Sequence, residues 1–274
     1  MPELPEAESI VRALHQSLRD LTVQGVSLTR EDIVRGCEVP LATWILGKKV
    51  AGVTRRGKRV VLDLEPQARL VFRLGMSGRM ITCEAAVPVE PHTHLRIRFR
   101  ETDRELRFRD PRRFGGVWCF SGPAVRDAPG SNFSDLGPEP LSLTRIAFRR
   151  LLSRRRQIKA LLMDQRAIAG LGNIYCDESL HAAAIHPLNL AADLADKKRD
   201  RLLRAIKSTL LRAIRHNGST LVDYRQPDGE AGSFQRMHRV YQREGEPCRS
   251  CRTRIVRILA AGRSTFFCPK CQSR

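Results

Sequence analysis

Cys248-Arg249-Ser250-Cys251 and Cys268-Pro269-Lys270-Cys271 form a Cys-x2-Cys-x16-Cys-x2-Cys pattern near the end of the sequence. Two close thiol pairs separated by the length of a hairpin let four thiolates close a tetrahedron around one zinc ion, with Arg254 to Leu259 and Ser264 to Phe267 as the expected strands. Two disulfides are the alternative, and they fit poorly with a reducing cytosol. Four sulfurs fill the metal's coordination, so this zinc is structural, and a module of this size folds only with its metal. The turn Ala261-Gly262-Arg263 projects a cation from the hairpin tip, either a DNA contact or a solvated arginine. The remaining cysteines, Cys37, Cys83, Cys119 and Cys176, stand singly and are expected to be buried free thiols.

Working back from the finger, the loop from Ser219 to Phe234 is long enough for a functional lid, though surface disorder fits its length equally well. Before it the apolar period is helical over Leu143 to Leu152, Ile158 to Ile168, Ile174 to Ala184 and Asp193 to His216, where Leu203, Ile206, Leu210 and Ile214 form one stripe. Asn217-Gly218 supplies the stop. Ser121 to Pro140 is rich in Pro, Gly, Ser and Asp and lacks a period, as a linker does. Upstream, short β-branched and aromatic segments from Thr22 to Phe120 alternate with turns at the spacing of an antiparallel sandwich or barrel. Ile10, Val11, Leu14 and Leu18 mark an opening amphipathic helix.

The expected organisation is therefore an α+β, multidomain chain. A β-sandwich domain with the first helix covers 1–120, a linker 121–140, a helical domain with the long loop 141–234, and a zinc finger module 235–274.

Charge narrows the function. The 274 residues carry 49 Lys+Arg against 29 Asp+Glu, a net +20, and residues 141–274 hold +16 of it. Such an excess, with no apolar run of about 18 residues and no basic leader, points to nucleic acid rather than membrane and to a cytoplasmic protein. Arg outnumbers Lys 41 to 8, which suits bidentate phosphate contacts or reflects a GC-rich genome.

The N-terminus carries a second signal, Met1-Pro2-Glu3-Leu4-Pro5-Glu6. Removal of Met1 leaves the Pro2 secondary amine, and an α-amino group near pKa 8 is roughly 10% unprotonated at pH 7, about 250 times more than a lysine. Attack of such an amine on a sugar's anomeric carbon gives an iminium, an electron sink for elimination, with Glu3 beside it as acid or base. A frayed acidic terminus is the bland alternative.

Pro2-Glu3-Leu4-Pro5-Glu6, Leu74-Gly75-Met76-Ser77-Gly78, Asp110-Pro111-Arg112-Arg113-Phe114-Gly115, Leu136-Gly137-Pro138-Glu139-Pro140, Gly172-Asn173-Ile174-Tyr175 with Glu178, and the cysteine motif occur in this order along the whole chain. Together they resemble the bacterial formamidopyrimidine-DNA glycosylases. The resemblance implies an antiparallel β-sandwich, a helix-two-turn-helix domain and a zinc β-hairpin finger with DNA in the cleft between domains. It also implies a monomer that excises oxidised purines from double-stranded DNA and then cleaves the strand at the abasic lesion by β,δ-elimination.

Carried over by position, Pro2 is the Schiff-base nucleophile, Glu3 the acid that assists ring opening, and Glu6 orients the terminus. Lys58 lies near the damaged nucleotide's phosphate. Met76, Arg112 and Phe114 fill the slot that the flipped base vacates, where a sandwich core would otherwise explain the two apolar residues. Lys159, Asn173 and Arg263 form a phosphate clamp, aided by the helix N-terminus after Gly172. Glu178 stands near the pocket or supports a helix cap. The loop from Ser219 is the base-recognition loop, with Ser219 and Thr220 in the substrate pocket. Arg73 departs from the family, where histidine often precedes Leu-Gly-Met-Ser-Gly. A sister enzyme for oxidised pyrimidines and a non-catalytic zinc-finger DNA binder are the competing readings; Leu4 and the Met76, Arg112, Phe114 set favour the purine branch.

Overall fold

The computed structural model describes residues 2–37, 39–121, 133 and 135–274. Most of the expected linker lies outside the described residues. The chain divides into two compact units, Met1–Ser134 with His216–Ser233, and Asp135–Arg215 with Phe234–Arg274.

The first unit opens with α1 (Leu4–Leu18), whose buried Leu4, Ala7, Ile10, Val11, Leu14 and Leu18 recur at helical spacing. Pro5 lies in the first turn, where its missing N–H costs nothing. Then follow β1 (Val23–Leu28), β2 (Val34–Arg35), α2 (Leu41–Ile45), β3 (Lys49–Arg56), β4 (Arg59–Glu65), β5 (Ala68–Arg73), β6 (Arg79–Glu84), β7 (Thr93–Phe99), β8 (Arg104–Arg109) and β9 (Gly116–Ser121). They build two sheets, β1-β7-β8-β6 and β2-β9-β5-β4-β3. All pairs are antiparallel except β2 with β9. Leu62, Leu70 and Phe72 from one sheet meet Leu95, Ile97, Leu106 and Phe108 from the other in a single core, with Ile10 and Leu14 of α1 added. The Phe72 and Phe108 rings lie edge to face with centroids 5.7 Å apart, tying the two sheets together. The expected sandwich is thus present.

Cys37 and Cys119 form a disulfide with Cα atoms 5.2 Å apart, correcting the expectation of free thiols there. The cause is the parallel pairing of Val34 with Val117 and Arg35 with Trp118, which brings the ends of β2 and β9 side by side. Among the described residues, Cys83 and Cys176 form no disulfide.

The second unit holds α3 (Arg145–Leu151), α4 (Ile158–Met163), α5 (Asn173–Ala182), α6 (Asp196–Arg215), β10 (Val256–Ala260) and β11 (Arg263–Phe267). Helix α4 stops five residues before the expected Ile168, because the chain turns at Asp164, whose carbonyl accepts the N–H groups of both Ala167 and Ile168. Helix α5 is nearly enclosed, with Ile174 through His181 all buried. The finger has its own small core of Val240, Cys248, Ile255, Phe266 and Cys268. Gln272 Nε2 donates to the Ile185 carbonyl at 2.9 Å, and β11 lies against α5.

His216–Ser233 belongs to the sandwich unit instead of the helical domain, since Tyr224 enters the sandwich core and Thr82 N–H donates to the Pro227 carbonyl at 2.8 Å. Among the described residues, no helix is long and apolar enough to cross a membrane.

Candidate active site and nucleic-acid interface

Glu3 is the N-cap of α1, and its carboxylate accepts the Glu6 N–H in a capping box. In return Glu6 Oε2 accepts the Glu3 N–H at 2.8 Å. The second oxygen of Glu6 accepts the Ser219 N–H at 2.7 Å, and the Tyr224 hydroxyl donates to the Glu6 carbonyl at 3.4 Å. Burial and the nearby Glu6 charge push the Tyr224 hydroxyl above its ordinary value. Pro2, Glu3 and Glu6 are all buried. The structure therefore brings Glu3, Glu6 and Ser219 together around the chain's first residues. Thr220 stays within the loop: its hydroxyl donates to the Tyr224 carbonyl at 3.0 Å and accepts the Gly232 N–H at 2.9 Å. Lys58 is half-buried in the two-residue turn between β3 and β4.

Met76 and Phe114 are not core residues, being 38% and 60% exposed. They ride on the loops after β5 and β8, which lie so close that a Cβ on Gly75 would fall 2.6 Å from the Phe114 carbonyl carbon. The Arg112 guanidinium carbon sits 4.7 Å from the Phe114 ring centroid, so cation and wedge are already stacked. Arg73 is accommodated over the Trp118 ring at 4.6 Å, a ring that Arg35 also covers at 5.1 Å.

In the second unit, Arg263 is exposed beside the turn at Ala261 and Gly262, both with positive φ. Lys159 lies inside the unit. Lys159 is wholly buried, paired with Asp177 at 2.7 Å and bonded to Thr265 Oγ1 at 2.8 Å. Burial pushes the Asp177 carboxyl up, to about 7, against the pull of Lys159. Asp177 also accepts the Phe266 N–H at 2.9 Å, and the Asn173 side chain donates to the Ser264 carbonyl at 2.9 Å. The heads of α4 and α5 thus grip the strand that begins at Arg263. The buried carboxylate of Glu178 accepts the N–H groups of Arg239, Val240 and Tyr241 at 2.9–3.0 Å.

Cys248, Cys251, Cys268 and Cys271 place their sulfurs within 4.8 Å of one another. Cys251 and Cys268 are 3.4 Å apart and Cys248 and Cys271 4.0 Å. Sulfurs at about 2.3 Å from a tetrahedral zinc lie about 3.8 Å apart, so the set fits the ion. The Ser250 and Cys271 N–H groups each point at a sulfur from 3.4 Å, as donors to thiolates do. His181 of α5 puts Nε2 3.6 Å from Cys248 Sγ, a neighbour that no spacing in the sequence signals.

Sequence models of three domains match in order: the Formamidopyrimidine-DNA glycosylase N-terminal domain over residues 1–117, its H2TH domain over 136–224, and the zinc finger found in FPG and IleRS over 245–274. The chain belongs to the formamidopyrimidine-DNA glycosylase family. The glycosylase of Desulforamulus reducens is 42% identical over 99% of both chains. Among solved structures, the Lactococcus lactis Fpg complex with abasic-site DNA has a TM-score of 0.91 at 32% identity, covering 99% of this chain and all of that one. A complex of the same L. lactis protein with Fapy-dG DNA has a TM-score of 0.90, also at 32% identity and with the same coverage. The finger match and the cysteine geometry together give one structural zinc.

Proposed function

We propose that the chain is a bifunctional DNA glycosylase and abasic-site lyase that removes oxidised purines, 8-oxoguanine and formamidopyrimidines, from duplex DNA. The burial of Glu3 and Glu6 beside Pro2, with the loop at Ser219 fastened to the same carboxylate, carries this reading. Carboxylates held at a chain terminus in this way match an N-terminal nucleophile with its acid. The L. lactis Fpg complexes support abasic-site and Fapy-dG DNA as the kind of ligand.

After removal of Met1, the Pro2 nitrogen bonds to C1′ of the damaged nucleotide. The glycosidic bond breaks and the base leaves with the electron pair and a proton. Glu3 gives a proton to the ring oxygen as the sugar opens, leaving an iminium at C1′. The iminium acidifies the C2′ proton, whose loss expels the 3′ phosphate. A second elimination expels the 5′ phosphate, and water then hydrolyses the adduct to free Pro2. Glu6 orients the terminus, Met76, Arg112 and Phe114 occupy the vacated slot, and Lys58, Asn173 and Arg263 hold phosphates.

Glu3→Gln separates the steps. It should abolish removal of an intact damaged base while retaining DNA binding and some cleavage at preformed abasic sites. Unchanged base removal by this variant contradicts the assignment. Comparing oxidised guanine with oxidised thymine as substrates tests the purine preference.

A further inference from the structure

We infer that Asp110 is a positioning residue that pre-sets Met76, Arg112 and Phe114 for the vacated slot. Asp110 follows β8 and is 1% exposed. Its Oδ1 accepts the Ser77 hydroxyl at 2.6 Å and its Oδ2 the Gly115 N–H at 2.7 Å. Ser77 Oγ in turn accepts the Arg112 N–H at 3.2 Å. The Asp110 carbonyl accepts the Arg113 N–H at 3.2 Å and lies 3.0 Å from His94 Nε2, while its own N–H donates to the His92 carbonyl at 3.0 Å.

The consequence lies in which residues these groups adjoin. Ser77 follows Met76, Gly115 follows Phe114, and the third anchored group is the N–H of Arg112 itself. One buried carboxylate therefore clamps a point within one residue of each of the three exposed side chains. A wedge that is ordered before DNA arrives loses little conformational freedom on insertion, which favours the state with the base flipped out. Only a carboxylate offers acceptors on both sides without a competing donor; an asparagine must turn an NH2 group toward Ser77 or Gly115. Burial makes the carboxylate costly unless these donors are present, so the donors and the carboxylate hold one another in place.

This inference rests on the proposed slot-filling role of the trio, and the test separates the two. Excision is measured on a duplex with 8-oxoguanine opposite cytosine, and strand cleavage on a duplex with a preformed abasic site. Asp110→Asn should slow excision about tenfold, the scale of one lost buried hydrogen bond, with abasic cleavage changed less than about threefold. Ser77→Ala, which removes the donor to Asp110 Oδ1 and the acceptor of the Arg112 N–H while leaving the bond to Gly115, should show the same asymmetry and covers the case in which Asp110→Asn fails to fold. In a Met76→Ala, Arg112→Ala, Phe114→Ala background, Ser77→Ala should cause no further loss, because the groups it positions are gone. A further loss there, or equal losses on both substrates, overturns the positioning role. If the triple variant itself excises normally, the slot-filling reading fails instead, and the inference falls with it.

Discussion

The Glu6 carboxylate accepts the Ser219 N–H through Oε1 at 2.7 Å while its other oxygen accepts the Glu3 N–H at 2.8 Å. One side chain thus joins the head of α1 to the foot of a loop 213 residues away. The approach depends on Gly218, which has φ of +73° and where a Cβ would lie 2.5 Å from Glu6 Oε1.

Gly218→Ala should therefore disturb both partners. The left-handed backbone alone costs about 1–2 kcal/mol for an alanine, and the clash adds to it. Base excision should fall at least as far as abasic-site cleavage, with zinc content unchanged. Wild-type melting temperature and activity in this variant would show that the Glu6 contact carries no weight.

The finger should bind zinc 1:1 through Cys248, Cys251, Cys268 and Cys271. Cys268→Ser should lower zinc content and weaken affinity for damaged and undamaged duplexes alike, because Arg263 loses its rigid hairpin. Elemental analysis and a binding titration check this, and unchanged values in both would refute the site.

Lys159 and Asp177 form a buried pair inside the second unit. Lys159→Met leaves the carboxylate buried without its cation and should cost about 3–5 kcal/mol, whereas Lys159→Met with Asp177→Asn should recover much of that loss. Denaturant unfolding of the single and double variants measures both. A single variant as stable as the parent contradicts the pairing.

The Cys37–Cys119 disulfide closes a loop with a sequence separation of 82. In the chain-entropy picture a loop of that length contributes about 4–5 kcal/mol. Reductant, or Cys37→Ser with Cys119→Ser, should lower the melting temperature by roughly 10 °C. A melting curve indifferent to reductant would show that the bond contributes nothing to stability.

The sandwich strands were legible because β-branched runs alternate with turns, and the finger because two close thiol pairs a hairpin's length apart suit a tetrahedral zinc better than two disulfides. Strand β2 and helix α2, two and five residues long, are too short to show any period. The disulfide escaped because Cys37 and Cys119 have no telling spacing and meet only through the parallel pairing of β2 with β9. The burial of Lys159 was not legible because its partner Asp177 is 18 residues away on another helix. Ala167 and Ile168 continued the apolar pattern of α4 because they are buried, although their backbone is a turn. The loop from Ser219 was placed with the helices it follows in sequence, since nothing local signals its bond to Glu6.

The central claim is that the covalent step belongs to the Pro2 amine. Borohydride reduction during reaction with an abasic-site duplex, followed by mass spectrometry of the digested adduct, tests it most directly. The account predicts a sugar remnant on the N-terminal peptide at Pro2, with Met1 absent, and no adduct when the terminus is acetylated or Met1 is retained. A remnant on Lys58 or Lys159 with Pro2 unmodified would contradict it.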